Sequence, residues 1–115
     1  MATFTKVKLS GSTNGRGIAV AATATLGTTI HTADATALDE VWLYANNIHS
    51  SAVTLTVEFG GVTTTSDLIQ TSIPATPSGL VLICAGLLVT GSVVVTAFAS
   101  TADKIELFGY VNRIA

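Results

Sequence analysis

Apolar and polar residues alternate with period two along most of this chain, and glycine, asparagine and proline interrupt the alternation at roughly 8–12 residue intervals. From Thr3 to Ser10, Thr5, Val7 and Leu9 share one face, and Phe4, Lys6 and Lys8 share the other, which predicts a half-buried strand. Asn14-Gly15, within Gly11–Gly17, predicts a tight hairpin turn into a second strand over Ile18–Thr25. A short third strand is expected at Thr28–Thr32, then a polar loop over Asp34–Asp39. Glu40–Asn46 is the clearest central strand, with Val41, Leu43 and Ala45 on one face and Trp42 and Tyr44 on the other. In Ala52–Phe59 the residues Val53, Leu55, Val57 and Phe59 are expected inside, and Thr54, Thr56 and Glu58 outside. Leu68–Ile73, Leu80–Cys84, Ser92–Ser100 and Ile105–Ile114 complete the set, with Pro74–Gly79, Gly86–Gly91 and Thr101–Lys104 as connections. No helix of any length is indicated. The pattern predicts one all-β domain over residues 1–115, an antiparallel β-sandwich or jelly-roll-like barrel of about eight strands.

Between Asp67 and Asp103 the chain has no charged residue. Gly79–Ala99 is long enough for a membrane helix. Thr90-Gly91-Ser92 at its centre, the absence of flanking basic anchors before Lys104, and the Val, Ile and Thr content favour strands. Glu40–Asn46, Leu80–Cys84 and Ser92–Ser100 read as apolar on both faces: Val93 and Val95 point one way, Val94 and Phe98 the other. A sandwich buries one face of each strand. The surplus is expected to meet another copy of the chain, with Trp42, Tyr44, Val94 and Phe98 as the candidate oligomer interface.

Composition sharpens this picture. The 115 residues are only 10% charged, against about 25% in an average domain. Five basic residues and a net charge of −2 cannot make a phosphate-binding stripe, so nucleic acid is not an expected partner, and neither is a membrane. A signal peptide is not expected, because the apolar stretch Ile18–Ala24 after Lys6, Lys8 and Arg16 is short, interrupted by threonine and free of leucine. The single cysteine, Cys84, lies in an apolar run and reads as a small buried hydrophobe.

No catalytic, cofactor or metal site is expected. Gly11–Gly17 lacks the Lys-Ser/Thr ending and the following helix of a phosphate loop. His31 and His49 could join Asp34, Asp39 or Glu40 around an ion, but zinc-ligand spacing is missing, and both read as surface or interface histidines. An ion shared at a symmetry axis stays open. Asp39 and Glu40 are adjacent on a strand and face opposite ways, so capping or loop solvation is their expected role. Trp42 and Tyr44 read as core or interface anchors ahead of a stacking platform for a sugar or base.

The opening FTKVKLSGSTNGRGIAVAATATLGTTIHTA, the middle DEVWLYANNIHSSAVTLTVEFGG and the ending ADKIELFGYVNRIA resemble small virion proteins of tailed bacteriophages. The resemblance implies a capsid decoration, or cement, protein: a β-rich homo-oligomer, expected as a trimer, that sits on the outer capsid and clamps neighbouring capsomers of the major capsid protein. Its place would be the virion surface, after synthesis in the host bacterial cytoplasm. A tail, baseplate or fibre component is the alternative role, and a small carbohydrate-binding module the second alternative. For the capsid contact the candidates are Phe4 as an apolar anchor with Lys6, Lys8, Arg16 and Arg113 as cations. Solvated lysines guarding an edge strand are the competing reading of the same residues.

Overall fold

Ten consecutive residue pairs, from Leu38↔Ile114 to Asn47↔Ile105, join β4 (Leu38–Asn47) to β9 (Ile105–Ile114) as antiparallel neighbours. In the computed structural model, which describes residues 2–115, this ladder is the middle of a five-stranded sheet. β7 (Val81–Val89) forms one edge beside β4. β1 (Phe4–Lys8) and β2 (Ile18–Ala19) follow each other along the far side of β9. The second sheet runs β3 (Thr28–Thr32), β8 (Val94–Ala99), β5 (Val53–Phe59), β6 (Leu68–Ile73). All pairings are antiparallel, and no helix occurs among the described residues. The architecture is an all-β sandwich and not a closed barrel.

Period two explains the core. Val41, Leu43 and Ala45 of β4 and Leu107 and Val111 of β9 face Val53, Leu55 and Val57 of β5 and Val95, Ala97 and Ala99 of β8, all fully buried. These side chains are small or β-branched, so the layer is thin and aliphatic. Full burial of each Val or Leu is worth about 1.5–3 kcal/mol.

Four local expectations need correction. Asn14 and Gly15 do adopt positive φ (55° and 82°), closed by Arg16 N–H donating to Thr13 O at 3.0 Å. However, β1 and β2 both run antiparallel to β9, so the segment between them is an excursion and not a hairpin. That excursion stitches the sandwich shut: Gly11 N–H donates to Ile30 O, and Ser10 Oγ accepts from Thr32 N–H. The second strand is only two residues long: Val20 N–H still bonds Ile105 O of β9, and Ala22 O then accepts from Ala99 N–H, carrying the chain from one sheet to the other. β7 continues through Gly86, which the sequence reads as a connection. The register slips by one residue there and again at Ile83, two bulges, and Gly86 takes the φ of +78° that the first requires. Finally, Thr56 and Glu58 on the outer side of β5 are buried, while Phe59 is only half-buried.

Polar anchors close both ends of β4. Asn47 is buried; its Nδ2 donates to the carbonyls of Ser51, Ile73 and Pro74, and its Oδ1 accepts from His49 N–H. At the other end, Asp39 is buried against Arg113, whose Nε and Nη2 donate to Oδ1 at 2.8 Å and Oδ2 at 3.0 Å. Asp39 Oδ2 also accepts from Asp34 N–H and bonds His31 Nε2 at 2.8 Å. Asp39 is therefore a buried anion, not a solvated loop residue, because it meets a cation and two further donors. Burial alone would push its pKa up. The bonds from Arg113, His31 and Asp34 outweigh that and hold it down, at about 2.

Arg113→Ala leaves the buried Asp39 carboxylate unpaired and should lower the unfolding free energy by about 3 kcal/mol, read from urea denaturation at neutral pH. The folded-state pKa of Asp39 lies below its unfolded value of 3.8, so its contribution is full above pH about 4 and fades as pH falls toward about 2. That contribution is on the order of 2 kcal/mol. Asp39→Asn should be less stable at neutral pH and should lose stability less steeply through that acid window. Parallel pH profiles for both proteins would refute the assignment.

Candidate assembly surfaces

The titratable groups that read as candidate chemistry are consumed inside the fold. His31 lies at 0% exposure. Its Nδ1 accepts Ser10 N–H at 3.0 Å, which puts the ring proton on Nε2, facing Asp39. Ser10, His31 and Asp39 are nevertheless not a nucleophile, base and orienting acid. The Ser10 backbone, not its hydroxyl, meets the imidazole, and the ring has no path to solvent. His31 is thus a core residue and not a surface or interface histidine. Cys84 is buried, and burial pushes its thiol up to about 11, where little thiolate forms at neutral pH. No cluster of three or more His, Cys, Asp or Glu suited to a metal occurs among the described residues. No helix among them is long and apolar enough to cross a membrane; Gly79–Ala99 contributes β7 and β8 instead.

The outer face of the first sheet is built from alternate residues of β1, β9, β4 and β7. The register lays them in rows: Phe4, Ile114 and Leu38; then Lys6, Asn112, Glu40 and Leu88; then Lys8, Tyr110, Trp42 and Ala85; then Phe108, Tyr44 and Leu82. Four aromatics thus meet in a block on a sheet face, although they are separated by 64 positions or more between β4 and β9. Trp42 and Tyr110 stack with ring planes 9° apart and centroids at 6.1 Å, and Lys6 Nζ lies 4.8 Å from the Tyr110 centroid. Trp42 Nε1 donates to Glu40 Oε1 at 2.7 Å, and Asn112 Nδ2 donates to the same oxygen. These bonds hold the Glu40 carboxyl below its usual pKa. Lys6 therefore takes one face of the Tyr110 ring, and Trp42 lies near-parallel beside it.

The capsid-contact candidates separate accordingly. Phe4 at 71% exposure, Lys6 and Lys8 share the outer face of β1, an edge strand. Lys8 Nζ donates to Ser12 O at 3.0 Å. Arg16 lies exposed in the neighbouring excursion. Arg113 does not join them: it belongs to the opposite face of the sheet and is held by Asp39, with Asp34 Oδ1 at 3.9 Å from Nη1. The oligomer candidates divide as well. Trp42 and Tyr44 are half-buried on the first sheet, whereas Val94 and Phe98 lie on the outer face of the second, so the four cannot form one patch.

On the second sheet, residues 22–27 fold over Glu58. Its Oε1 accepts from Gly27 N–H and Thr96 Oγ1, and its Oε2 accepts from Thr25 Oγ1. Burial opposes ionisation here, but these donors together leave its pKa lowered. The clamp sets exposed Leu26 at the rim of an apolar cleft of about 290 Å³, shared with Val62, Val94, Gly60 and Gly61. Sequence reasoning missed this device. A glutamate in strict alternation with valines reads as solvent-facing, and its three donors come from two distant segments. The exposed Leu80, Leu82, Leu87 and Leu88 gather along β7, where the sequence does signal surplus apolar surface.

No protein-family model, curated protein or solved structure matches the chain. Its functional reading therefore rests on these surfaces and on the resemblance of its segments.

Glu58→Ala removes all three acceptor contacts and strands the Gly27 N–H and Thr96 hydroxyl. The expected cost is about 2 kcal/mol, with cleavage in residues 22–27 preceding any other cut in limited proteolysis. Unchanged protection of that segment would show that something other than Glu58 holds it.

Proposed function

We propose that this chain is a non-enzymatic structural subunit of a virion, a capsid decoration protein that binds the outer capsid surface and stabilises contacts between capsomers. The observation that carries the reading is the distribution of its surface. A sandwich whose buried polar side chains all have partners still exposes large apolar residues on an edge strand and on both sheet faces. Such a block is rigid internally and adhesive externally, which suits a protein that works by being bound. The resemblance of its opening, middle and closing segments to small phage virion proteins supplies the assembly.

The face formed by Phe4, Lys6 and Lys8 is the proposed capsid contact, with Arg16 beside it. Phe4 supplies apolar area to bury, and the two lysines supply attraction to acidic capsid surface. Arg113 is not part of it. Lys6 over the Tyr110 ring and the half-burial of Trp42 and Tyr44 count against the carbohydrate-module alternative, since an accessible flat aromatic face is what sugar stacking needs.

Capsids assembled without the chain provide the test. Wild-type protein should bind them saturably at micromolar concentration, and failure to bind at any salt concentration would end the decoration reading. Lys6→Glu with Lys8→Glu should reduce occupancy at low salt and flatten its salt dependence. Occupancy and salt response equal to wild type, with the fold intact, would show that β1 is not the contact.

A further inference from the structure

Like β6, the six-residue edge of the second sheet that is also free of charge and proline but shows no large exposed apolar residue, β7 is a free edge, and it is the longest edge strand among the described residues. It is nine residues long, carries no charge and no proline, and stands in the stretch without charge between Asp67 and Asp103. Charge, proline and β-bulges are the usual guards of a free edge, and of these β7 has only the bulges. β1, at the opposite edge, carries Lys6 and Lys8. β3 is stitched to the 9–17 excursion by bonds from Ser10 and Gly11. Along β7, Leu80, Leu82, Leu87 and Leu88 are 61, 51, 43 and 53% exposed. Leu82 and Leu88 belong to the outer face, opposite Tyr44 and Glu40, whereas Leu87 pairs with buried Val41 and belongs to the core side. Cys84 and Val89 of this strand are buried, but Val81 and Ile83 are only partly so, which leaves apolar surface at the core margin along this edge.

We propose that β7 is a subunit interface, covered by β7 of a second copy lying antiparallel to it about a two-fold axis. This rests on the reading of the chain as an assembling subunit and names the surface. An uncharged leucine edge has no electrostatic complement, so its best match is a surface equally apolar and equally free of charge. The antiparallel edge of its own copy has that composition and sets the leucines of one strand beside those of the other. The area suffices for a small interface. A stable pair needs about 600 Å² from each partner, roughly a tenth of the 5824 Å² surface of the chain. A nine-residue edge is about 30 Å long, and a strip of that length about 20 Å wide reaches this figure. The bulges at Ile83 and Gly86 interrupt any backbone ladder between the copies, so leucine burial dominates the contact.

Leu82→Lys with Leu88→Lys tests this by sedimentation. Both side chains are half-exposed in the single chain, and a lysine at 88 would stand beside Glu40, so the fold tolerates the change. Wild type should be a dimer, or an even-numbered oligomer, at micromolar concentration, and the variant should dissociate at least about a hundredfold more weakly bound, with an unchanged circular dichroism spectrum. As a second measurement, Ala85→Cys, exposed near the middle of β7, should form a disulfide-linked dimer on mild oxidation, while buried Cys84 stays reduced. A monomeric wild type overturns the proposal. So does a trimer that survives the lysines and leaves Ala85→Cys uncrosslinked, because a trimer joins two different patches head to tail. Capsid occupancy is measured separately on both variants. Loss of dimer with retained occupancy supports the β7 interface and the decoration reading together, and a dimer that never binds capsids supports the interface alone.

Discussion

The rest of the sandwich depends on the β4–β9 ladder. It is the longest pairing in the molecule, and each of its strands has a neighbour on its other side, so the first sheet cannot form without it. It also joins two segments about 60 residues apart, which makes it costly to close before its contacts are gained. The polar anchors sit at its ends for that reason. Asp39, paired opposite Arg113, fixes the register at one end, and a slip of one residue would separate the carboxylate from the guanidinium and turn every core valine outward. Asn47 performs the same service at the other end by holding the carbonyls of Ser51, Pro74 and Ile73, the last residue of β6.

Buried polar groups in this protein act as position markers more than as sources of net stability. A buried ion pair gives back in desolvation much of what it gains in attraction. What it does supply is intolerance of alternatives. Aliphatic cores built from Val, Ala and Leu pack acceptably in more than one register. Asp39, Asn47 and Glu58 do not, because each needs donors or acceptors from segments that meet only in the native topology.

The strands were legible because period two is a local signal. Thr28–Thr32 and Leu68–Ile73 stand where alternation places them, and the inner set Val41, Leu43 and Ala45 is the buried one. The misreadings all lie where a distant segment decides. Glu58 alternates like a surface residue until residues 22–27 cover it. His31 looks accessible until Ser10 and Asp39 close on it. Asn14-Gly15 makes its turn, but pairing with β9 decides that the flanking strands are collinear and not a hairpin. Arg113 counts as a free cation in sequence only because Asp39 is 74 positions away. Of the proposed surface, the lysine face of β1 was readable from alternation, whereas the division of Trp42 and Tyr44 from Val94 and Phe98 required the strand order.

Low charge has a physical consequence for such a protein. Most soluble domains keep apart through their charges, and a net charge of −2 spread over this surface gives little repulsion between copies. Asp39 and Glu58 are buried and held by donors within the fold, and Arg113 and Asp39 neutralise each other as a pair. The net charge of −2 is unchanged by these contacts and stays small. Short-range apolar contact then decides what the chain adheres to, and geometry decides where. On this sandwich the two edges of the first sheet have opposite characters: β1 offers lysines that discourage strand addition, and β7 offers leucines on a strand whose bulges interrupt a backbone ladder but leave the apolar side chains exposed. Under the proposed β7 pairing, the lysines of β1 would keep the other edge of this sheet from adding further copies, so that association through it would end at closed pairs.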